Sequence, residues 1–474
     1  MDDSKLIFDT KVQYIKYKVL SEVARCAYKG DLLENINEIP KIISPGPESQ
    51  MRCCIYKERA IVSERIQRAI SGVKEGRNVI SVISIACDEC PQEGYEVTDD
   101  CRGCLAHRCK RACPKDAISF DAKQKAHIDK SKCINCGMCA NACPYSAIRN
   151  RIRPCVNACK VKAISTNEDG SAKINDEKCI SCGACVYQCP FGAITDVSSI
   201  VQIINELKNP NSHVYAIVAP AIACQFDYAT IGQVVTGIKK LGFYQVIEAA
   251  LGADMVTHSE TQELVEKGFL TSSCCPAFVR YIQKYYPEVL DKVSHNPSPM
   301  IALSRYLKEQ DPLAKVVFIG PCTAKKREAI EDENKSTDYV MTFEELQAVL
   351  NGKDIDISTL EETQLDNASH FGRLFARIGG LSESVVEMLK EQNTEFEVKP
   401  VLCEGIENIK KALSKIKRGK DIDFNFLEGM VCMGGCIGGP CNINHQVRDK
   451  MQIDKFGQES SKQTITSSLE EIKK

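Results

Sequence analysis

The sequence lacks both an apolar run long enough to cross a bilayer and a strong excess of either charge. Its longest apolar run, residues 214–224, is far shorter than the ~20 residues that a membrane-spanning helix needs. The 61 Lys and Arg are balanced by 63 Asp and Glu, so the formal net charge is -2. These absences argue against a membrane protein and against nucleic-acid binding by the chain as a whole.

The N-terminal residues also lack the basic and apolar segments of a secretory signal, and we expect a cytoplasmic protein. Against this background the chain carries 27 Cys, an odd number. In a reducing compartment such a set indicates metal ligands rather than disulfides.

Residues 86–195 hold the densest cysteine pattern. Four half-repeats share the spacing C-x3-C-x3-A-I, which indicates one structural unit that was copied. Two copies are complete bacterial ferredoxin runs for [4Fe–4S] clusters. Their thiols are Cys133, Cys136, Cys139 and Cys143, and Cys179, Cys182, Cys185 and Cys189. Because the fourth Cys of such a run binds the other cluster, we predict that Cys189 completes the first set and Cys143 the second.

The other two copies are irregular. One has a longer middle gap, and its thiols are Cys101, Cys104, Cys109 and Cys113. The other keeps only Cys155 and Cys159, while Cys87 and Cys90 lie upstream as a further pair. These eight thiols would complete two more clusters, four in total, and the spacing leaves their division between the two open. Alternatively, Cys87, Cys90, Cys155 and Cys159 bind zinc or no metal.

The cysteine-rich region is also basic. From residue 101 to residue 160 there are thirteen Lys or Arg and three Asp. Each thiolate-bound cluster is itself an anion, so the basic residues can balance the clusters. They can also dock a small acidic electron carrier through complementary charge. We rank both interpretations above nucleic-acid binding, which a basic patch by itself would favour.

The remaining sequence predicts a mixed α+β and α/β chain. Helices are predicted at 11–26 and 58–74. After residue 196, strand-like runs at 214–218, 244–249, 315–319 and 397–402 alternate with helical patterns, which is typical of parallel sheets with helical crossovers. We divide the chain into a helical N-terminal region (1–85), a ferredoxin-like region (86–195), an α/β domain (196–445) and a polar tail (446–474) with a small exposed helix at 467–474.

Three stretches place cysteines where a strand-like run gives way to a helical pattern, which is where α/β folds bind ligands. They cover residues 270–278 with Cys274 and Cys275, residues 318–328 with Cys322 and Lys325, and residues 427–441 with Cys432 and Cys436. The last stretch contains five glycines. Thiols spaced this way among glycines fit the wall of a buried metal cofactor better than a zinc knuckle.

In this order the three stretches resemble the three signature motifs of the [FeFe]-hydrogenases, over roughly residues 214–445. The resemblance implies a two-lobed domain that closes on an H-cluster, a [4Fe–4S] cubane joined to a two-iron unit with CO and CN ligands. It implies that the cubane is held by Cys275, Cys322, Cys432 and Cys436. Cys436 would bridge to the two-iron unit, and Lys325 would donate to a cyanide. Met430, Ala219 and Pro220 would lie beside the two-iron unit.

The resemblance also implies a proton path and a reaction. Cys274 matches the thiol that relays protons, with Glu260, Glu263 and Ser294 behind it. The implied reaction is the anaerobic, reversible conversion of two protons and two electrons to H2. Electrons would pass to or from ferredoxin or a similar small acidic carrier, and hydrogenase maturation proteins would supply the cofactor. Neither nucleic acid nor a membrane is expected as a partner.

Several positions depart from the common motifs. Gly320 precedes Pro321, Ala277-Phe278 replaces Gly-Trp, and the chain contains no Trp. These differences resemble a divergent branch of the family, often called group B. Two other interpretations stay open: a hydrogen sensor with slow turnover, and a non-catalytic hydrogenase-like iron–sulfur protein without the two-iron unit.

Overall fold

The computed structural model describes residues 6–91, 93–419 and 422–472, so the predictions for residues 1–5 and 473–474 lie outside these ranges. The N-terminal region contains helices α1 (Lys11–Lys29), α2 (Leu32–Asn35), α3 (Ile39–Ile43) and α4 (Ile55–Ile70). This confirms the two predicted helices, although α4 ends before residue 74. Helix α1 begins with a capping box between Thr10 and Gln13.

The N-terminal helices share the main core of the molecule. Tyr17 and Val23 of α1 are buried in the same cluster as Ile217 and Leu346, far along the chain. Their apolar face is therefore covered by the α/β domain rather than by one another alone.

The cysteine-rich region folds into two modules of short antiparallel strands. Its elements are β1 (Ile80–Val82), β2 (Gly94–Val97), α5 (Arg108–Arg111), β3 (Ile118–Phe120), β4 (Ala126–Ile128), α6 (Met138–Ala142), β5 (Ile148–Arg151), α7 (Pro154–Ala158), β6 (Ile164–Thr166), β7 (Ala172–Ile174), α8 (Ala184–Tyr187) and β8 (Ile194–Asp196). In the first module, residues 94–151, β2 pairs with β5 and β3 with β4. In the second module, residues 80–90 and 154–196, β1 pairs with β8 and β6 with β7. Both modules have the predicted ferredoxin-like pattern. The domain boundary at residue 85 stays a prediction.

The α/β domain contains two parallel sheets. Its elements are α9 (Ile200–Lys208), β9 (His213–Val218), α10 (Ile231–Leu241), β10 (Gln245–Glu248), α11 (Ala249–Lys267), β11 (Leu270–Thr271), α12 (Pro276–Tyr285), α13 (Pro299–Gln310), β12 (Ala314–Gly320), α14 (Thr323–Glu331), β13 (Tyr339–Thr342), α15 (Phe343–Gly352), α16 (His370–Leu374), α17 (Gly380–Glu391), β14 (Pro400–Glu404), α18 (Gly405–Arg418) and β15 (Phe426–Met430). One sheet has the strand order β10-β9-β12-β13 and the other β11-β15-β14. The predicted two-lobed fold with parallel sheets is confirmed.

The prediction of a helix at the end of the polar tail is confirmed, but its predicted exposure is wrong, because the tail is packed against the rest of the protein. It forms α19 (Asp449–Gln458) and α20 (Ile465–Ile472). Ile453 and Ile465 are fully buried, and the Ser468 hydroxyl donates to the Asp254 carboxylate at 2.7 Å. The few apolar residues of this polar segment are enough to hold both helices against the α/β domain.

None of the helices in the described ranges combines the length and the apolar character that crossing a bilayer requires.

Candidate cofactor site and proton path

The three cysteine motifs lie at the carboxyl ends of parallel strands. Cys275 follows β11, Cys322 follows β12 and Cys432 follows β15, while Ala219 follows β9. These strands belong to both sheets, and their ends face one cavity between the two lobes. Strand ends are held by ladder hydrogen bonds, so the residues just after them are placed more firmly than residues of a free loop.

The cavity contains about 820 Å³ of space that protein atoms do not fill. Its polar lining comes from Cys274, Cys275, Cys322, Cys432, Cys436 and Lys325. Its apolar lining includes Ala219, Pro220, Met300, Phe318, Phe375 and Met430. The structure therefore brings together every residue that the sequence placed around the cofactor.

The chemistry of the thiols fits a cubane. Burial, together with the charges of Cys275 and Cys436, raises the pKa of Cys322 to about 12. Cys436 lies deep in the protein yet is exposed to the cavity, and burial together with the Cys275 charge raises its pKa to about 11. Bare thiolates crowded in this way repel one another, whereas iron ions would compensate their charge. Four converging thiols are the ligand number of a [4Fe–4S] cluster.

Lys325 supplies a cation at the cavity wall. Burial lowers its pKa, but Glu328 and the Cys322 charge more than offset this effect, so the ammonium group stays charged. Its Nζ lies 2.8 Å from a Glu328 carboxylate oxygen and donates to the Cys274 carbonyl at 3.4 Å. The ammonium group is therefore held beside Cys274 and can donate to an anionic ligand in the cavity.

A buried ionic network fixes the helix that carries Lys325. The next residue, Lys326, points away from the cavity and contacts carboxylates of Asp196 and Glu345, each at 2.7 Å. Burial alone would raise the pKa of Asp196, but Lys16 and Lys326 hold it below its usual range. Lys16 of α1 also contacts Glu344 at 2.6 Å. The network joins α1, the end of the second module, α14 and α15.

Cys441 lies in this network rather than in the cavity. Its thiol, Asp196 and Glu344 place ligand atoms within 4.8 Å of one another. The Lys16 ammonium group contacts both carboxylates and Lys326 contacts Asp196, so two cations already offset this carboxylate charge without a metal ion.

Two glycines of the third motif, Gly435 and Gly439, line the cavity and also face neighbouring protein segments at close range. A Cβ on Gly435 would lie 2.8 Å from the backbone N of Ile378, and one on Gly439 would lie 2.6 Å from the Pro321 side chain. These glycines allow the cofactor loop to pack against neighbouring protein segments.

Glu260 is a buried acid without a hydrogen-bond partner. It is 0% exposed, and neither carboxylate oxygen is bonded to any described residue. Burial raises the pKa of Glu260 to about 8, and the nearby Ser294 hydroxyl opposes this only in part. The side chain is therefore protonated at neutral pH and can donate a proton. It lies close enough to Cys274 that its carboxylate, when ionised, raises the pKa of that thiol, which burial has already raised.

From Glu260 a chain of polar groups leads to the surface. The Ser294 hydroxyl donates to Glu263 at 3.0 Å, and Lys267 donates to the other oxygen of Glu263 at 2.6 Å. The exposed fraction of the side chain rises from 12% at Glu263 to 32% at Lys267. Lys267 was not identified from the sequence, although its spacing of four residues from Glu263 on one helix is the spacing of a helical ion pair.

The first module groups its thiols within itself. Cys113 lines one crevice with Cys133, Cys136 and Cys139. Burial raises the pKa of Cys109, and the Cys104 and Cys143 thiolates contribute to that rise. One set is therefore Cys113, Cys133, Cys136 and Cys139, and the other is Cys101, Cys104, Cys109 and Cys143.

The thiols of the second module also fall into two sets within that module. Burial, together with the charges of Cys189 and Cys90, raises the pKa of Cys155 to about 11. Burial also raises the pKa of Cys182 to about 12, with contributions from Cys179 and Cys159. The two sets are Cys87, Cys90, Cys155 and Cys189, and Cys159, Cys179, Cys182 and Cys185.

The predicted pairing of Cys189 with the first complete run, and of Cys143 with the second, is wrong. Each complete run exchanges its fourth thiol with an irregular neighbour of the same module, because the short strands pair within modules. Backbone N–H groups also point at the sulfurs: Ala117 donates to Cys113 at 3.3 Å, and Ala163 donates to Cys159 at 3.1 Å. Such donors stabilise thiolates, so the thiol sets fit iron–sulfur clusters.

The second module touches the wall of the cofactor cavity. The Thr323 hydroxyl, next to Cys322, donates to the Ser181 carbonyl at 2.7 Å. A Cβ on Gly183 would lie 2.5 Å from Pro440, so the loop around Cys182 packs directly on the third motif. The thiol set that contains Cys182 is thus next to the cavity.

Comparison with known families agrees with this geometry. Residues 212–440 match the model of the iron only hydrogenase large subunit, C-terminal domain. Residues 100–147 match a 4Fe-4S dicluster domain, and residues 172–195 match a 4Fe-4S binding domain. The chain is 28% identical over 455 residues to iron hydrogenase 1 of Clostridium pasteurianum, covering 83% of this chain and 78% of that protein.

The part of the chain that forms the cavity is similar to the iron-only hydrogenases.

The chain is also similar to proteins that are named as iron–sulfur cluster assembly factors rather than as hydrogenases. It is 25% identical over 275 residues to a probable cytosolic Fe-S cluster assembly factor of Aedes aegypti, covering 45% of this chain and 57% of that protein. Among solved structures, a variant of an [FeFe]-hydrogenase from Chlamydomonas reinhardtii is 22% identical with a TM-score of 0.49, covering 58% of this chain and 93% of that chain.

Proposed function

We propose that this protein catalyses the reversible conversion of protons and electrons to H2 at an H-cluster. The observation that carries the proposal is a row of proton-bearing groups that leads from Lys267 and Glu263 at the surface, past Ser294 and the buried Glu260, to Cys274 at the cavity wall. A protein that only stores or transfers clusters does not need a buried acid between the surface and the cavity.

The residues of the chain have distinct roles in this reaction. Cys275, Cys322, Cys432 and Cys436 would hold the cofactor, which supplies the site where H2 is formed or split. Lys325 would donate to its cyanide ligand and thereby orient it.

Proton delivery would begin at the surface pair of Lys267 and Glu263. Ser294 can accept and donate at once, so it can pass a proton from Glu263 towards Glu260. Glu260 is protonated at neutral pH and would deliver the proton to Cys274. The thiol is held in its protonated form by burial, and it is the last group before the cavity.

Electrons would travel through four [4Fe–4S] clusters, one in each thiol set of the two modules. The set that contains Cys182 lies next to the cavity and would exchange electrons with the cofactor. The first module would receive the electron carrier, because Cys136 is exposed and the apolar side chains of Ile134 and Met138 stand exposed around it.

The partner that we propose is ferredoxin or a similar small acidic carrier. Twelve of the thirteen basic residues between 101 and 160 are at least partly exposed, and only Arg153 is buried. Basic charge around an exposed cluster favours approach of an acidic protein over a neutral one. Hydrogenase maturation proteins are proposed as the source of the two-iron unit.

Iron analysis tests the number of clusters. Five cubanes and one two-iron unit require about 22 iron atoms per chain in anaerobically matured protein. A content of about 14 would mean that the irregular half-repeats hold no clusters. H2 evolution from a reduced dye, measured on the same preparation, tests the reaction. A preparation with about 20 iron atoms and no H2 evolution would contradict the proposed function and favour a cluster-assembly role.

A further inference from the structure

The thiol set Cys87, Cys90, Cys155 and Cys189 lies beneath the N-terminal helical region, which lies outside the residues matched by the three family models above. Arg52 of this region donates to the Ala86 carbonyl at 2.8 Å, immediately before Cys87. Its guanidinium carbon also lies 4.8 Å from the ring centroid of Phe191, two residues after Cys189. Asp88 lies 3.5 Å from Arg52 and partly compensates its charge.

A second arginine beside this set has no acidic partner. Arg65 of α4 donates to the Phe191 carbonyl at 3.1 Å, and its Nε is buried without a hydrogen-bond acceptor. Within the described ranges no carboxylate lies at ion-pair distance from it. Burial lowers the pKa of Arg65 to about 10, and the Cys189 thiolate is the anion that acts in the opposite direction. A half-buried guanidinium whose Nε is buried and has no carboxylate partner is costly, so its position points to a negative group at Cys189.

A glycine makes room for this guanidinium. The residue three positions after the last Cys of each half-repeat has a positive φ: 44° at Asp116, 51° at Ser146, 53° at Lys162 and 57° at Gly192. Three of the four positions carry side chains, so the backbone conformation by itself does not require glycine. A Cβ on Gly192 would lie 2.6 Å from Nη2 of Arg65. Of the four equivalent positions, only Gly192 lacks a side chain, and it is the position where Arg65 occupies the space that a side chain would need.

We propose that Arg65 is a positioning residue for electron transfer, which raises the reduction potential of the cluster held by Cys87, Cys90, Cys155 and Cys189. This inference rests on the proposed clusters and not on the hydrogen chemistry. Reduction adds one electron to a cluster that is already anionic with its four thiolates, and no bond forms or breaks. A fixed cation stabilises the reduced form more than the oxidised form.

The test is a redox titration of the matured full-length protein with dithionite as reductant, followed by electron paramagnetic resonance. Arg65→Gln removes the charge and keeps a donor for the Phe191 carbonyl. We expect the equilibrium constant for reduction of one cluster to fall about tenfold, which corresponds to a midpoint lower by about 59 mV for one electron. The affected signal should be the one that the ligand variant Cys90→Ser alters, while the other signals keep their midpoints.

Two controls separate charge from structure. Arg68→Gln removes a charge from the same helix, but Arg68 is paired with Glu64 at 3.1 Å, so its midpoints should equal those of wild type. Arg65→Lys keeps the charge and should retain most of the wild-type midpoint.

Gly192→Ser provides an independent variant, since serine adopts the same conformation at Ser146. It should displace the guanidinium and lower the same midpoint, but should have no further effect when combined with Arg65→Gln. An Arg65→Gln midpoint equal to that of wild type would overturn the role of Arg65 and leave the clusters in place. If wild-type protein lacked this signal, the proposal that these four thiols hold a cluster would be wrong. The iron content would then be about four atoms per chain lower than expected.

Discussion

We expect Cys436→Ser to reduce H2 turnover to background while the ferredoxin-type clusters of the two modules persist. Cys436 is exposed to the cavity, beside Cys275 and Cys322. We propose it as the thiol that would bridge the cubane and the two-iron unit. A serine hydroxyl is harder than a thiolate and stays protonated at neutral pH, so it is a poor ligand for iron of this kind. H2 evolution measures the loss of turnover. Electron paramagnetic resonance of the same preparation in the reduced state shows whether the clusters of the two modules persist.

A matched control lies five residues further on. Cys441 belongs to the same glycine-rich segment and is fully buried, but it lies in the network around Asp196 and not at the cavity. Cys441→Ser should therefore keep the cofactor and most of the turnover. Wild-type activity in Cys436→Ser would contradict the assignment of the bridging ligand.

The second large effect concerns proton delivery by Cys274. Replacement by alanine removes the last proton-bearing group before the cavity and leaves all four assigned cofactor thiols in place. Proton transfer by a positioned side chain typically contributes ~10²–10⁴-fold, so H2 turnover should fall by at least about 10²-fold. The measurement is H2 evolution from a reduced dye, normalised to the infrared bands of bound CO and CN.

The control for Cys274→Ala is Cys403→Ala, which removes a buried thiol of β14 that does not line the cavity. Loss of a small buried thiol by itself should cost little activity. Cys274→Asp should restore part of the turnover, because a carboxylic acid also carries an exchangeable proton. Turnover within about threefold of wild type in Cys274→Ala, well short of the acid–base range, would refute the relay.

Much of the cavity could be predicted because its residues follow strands whose patterns are local. The apolar runs before Cys275, Cys322 and Val431 mark strand ends, and parallel strands bring their carboxyl ends to one region. The departures from the common motifs also have local physical reasons. A Cβ on Gly320 would lie 2.6 Å from the Phe318 ring, and one on Gly429 would lie 2.5 Å from the ring of Phe278, so these large side chains are matched to neighbouring glycines.

The grouping of the module thiols could not be predicted, because the spacing of a cysteine run does not say which copy it pairs with. That choice is made by backbone pairing between short strands such as β3 and β4, whose sequences carry little pattern. Arg65 and the buried network of Lys16 and Lys326 were missed for a related reason. Each depends on contacts between distant segments, and a lone basic residue on a helix gives no signal of burial in the sequence.

We propose that the cavity holds an H-cluster and not a cubane alone. The most direct test is the infrared spectrum of the anaerobically matured protein, with a known active [FeFe]-hydrogenase matured in parallel as the control. We expect stretching bands of bound CO and CN that change when the sample is exposed to H2. A protein that carries its full set of cubanes but shows no such bands, while the control shows them, would contradict the account.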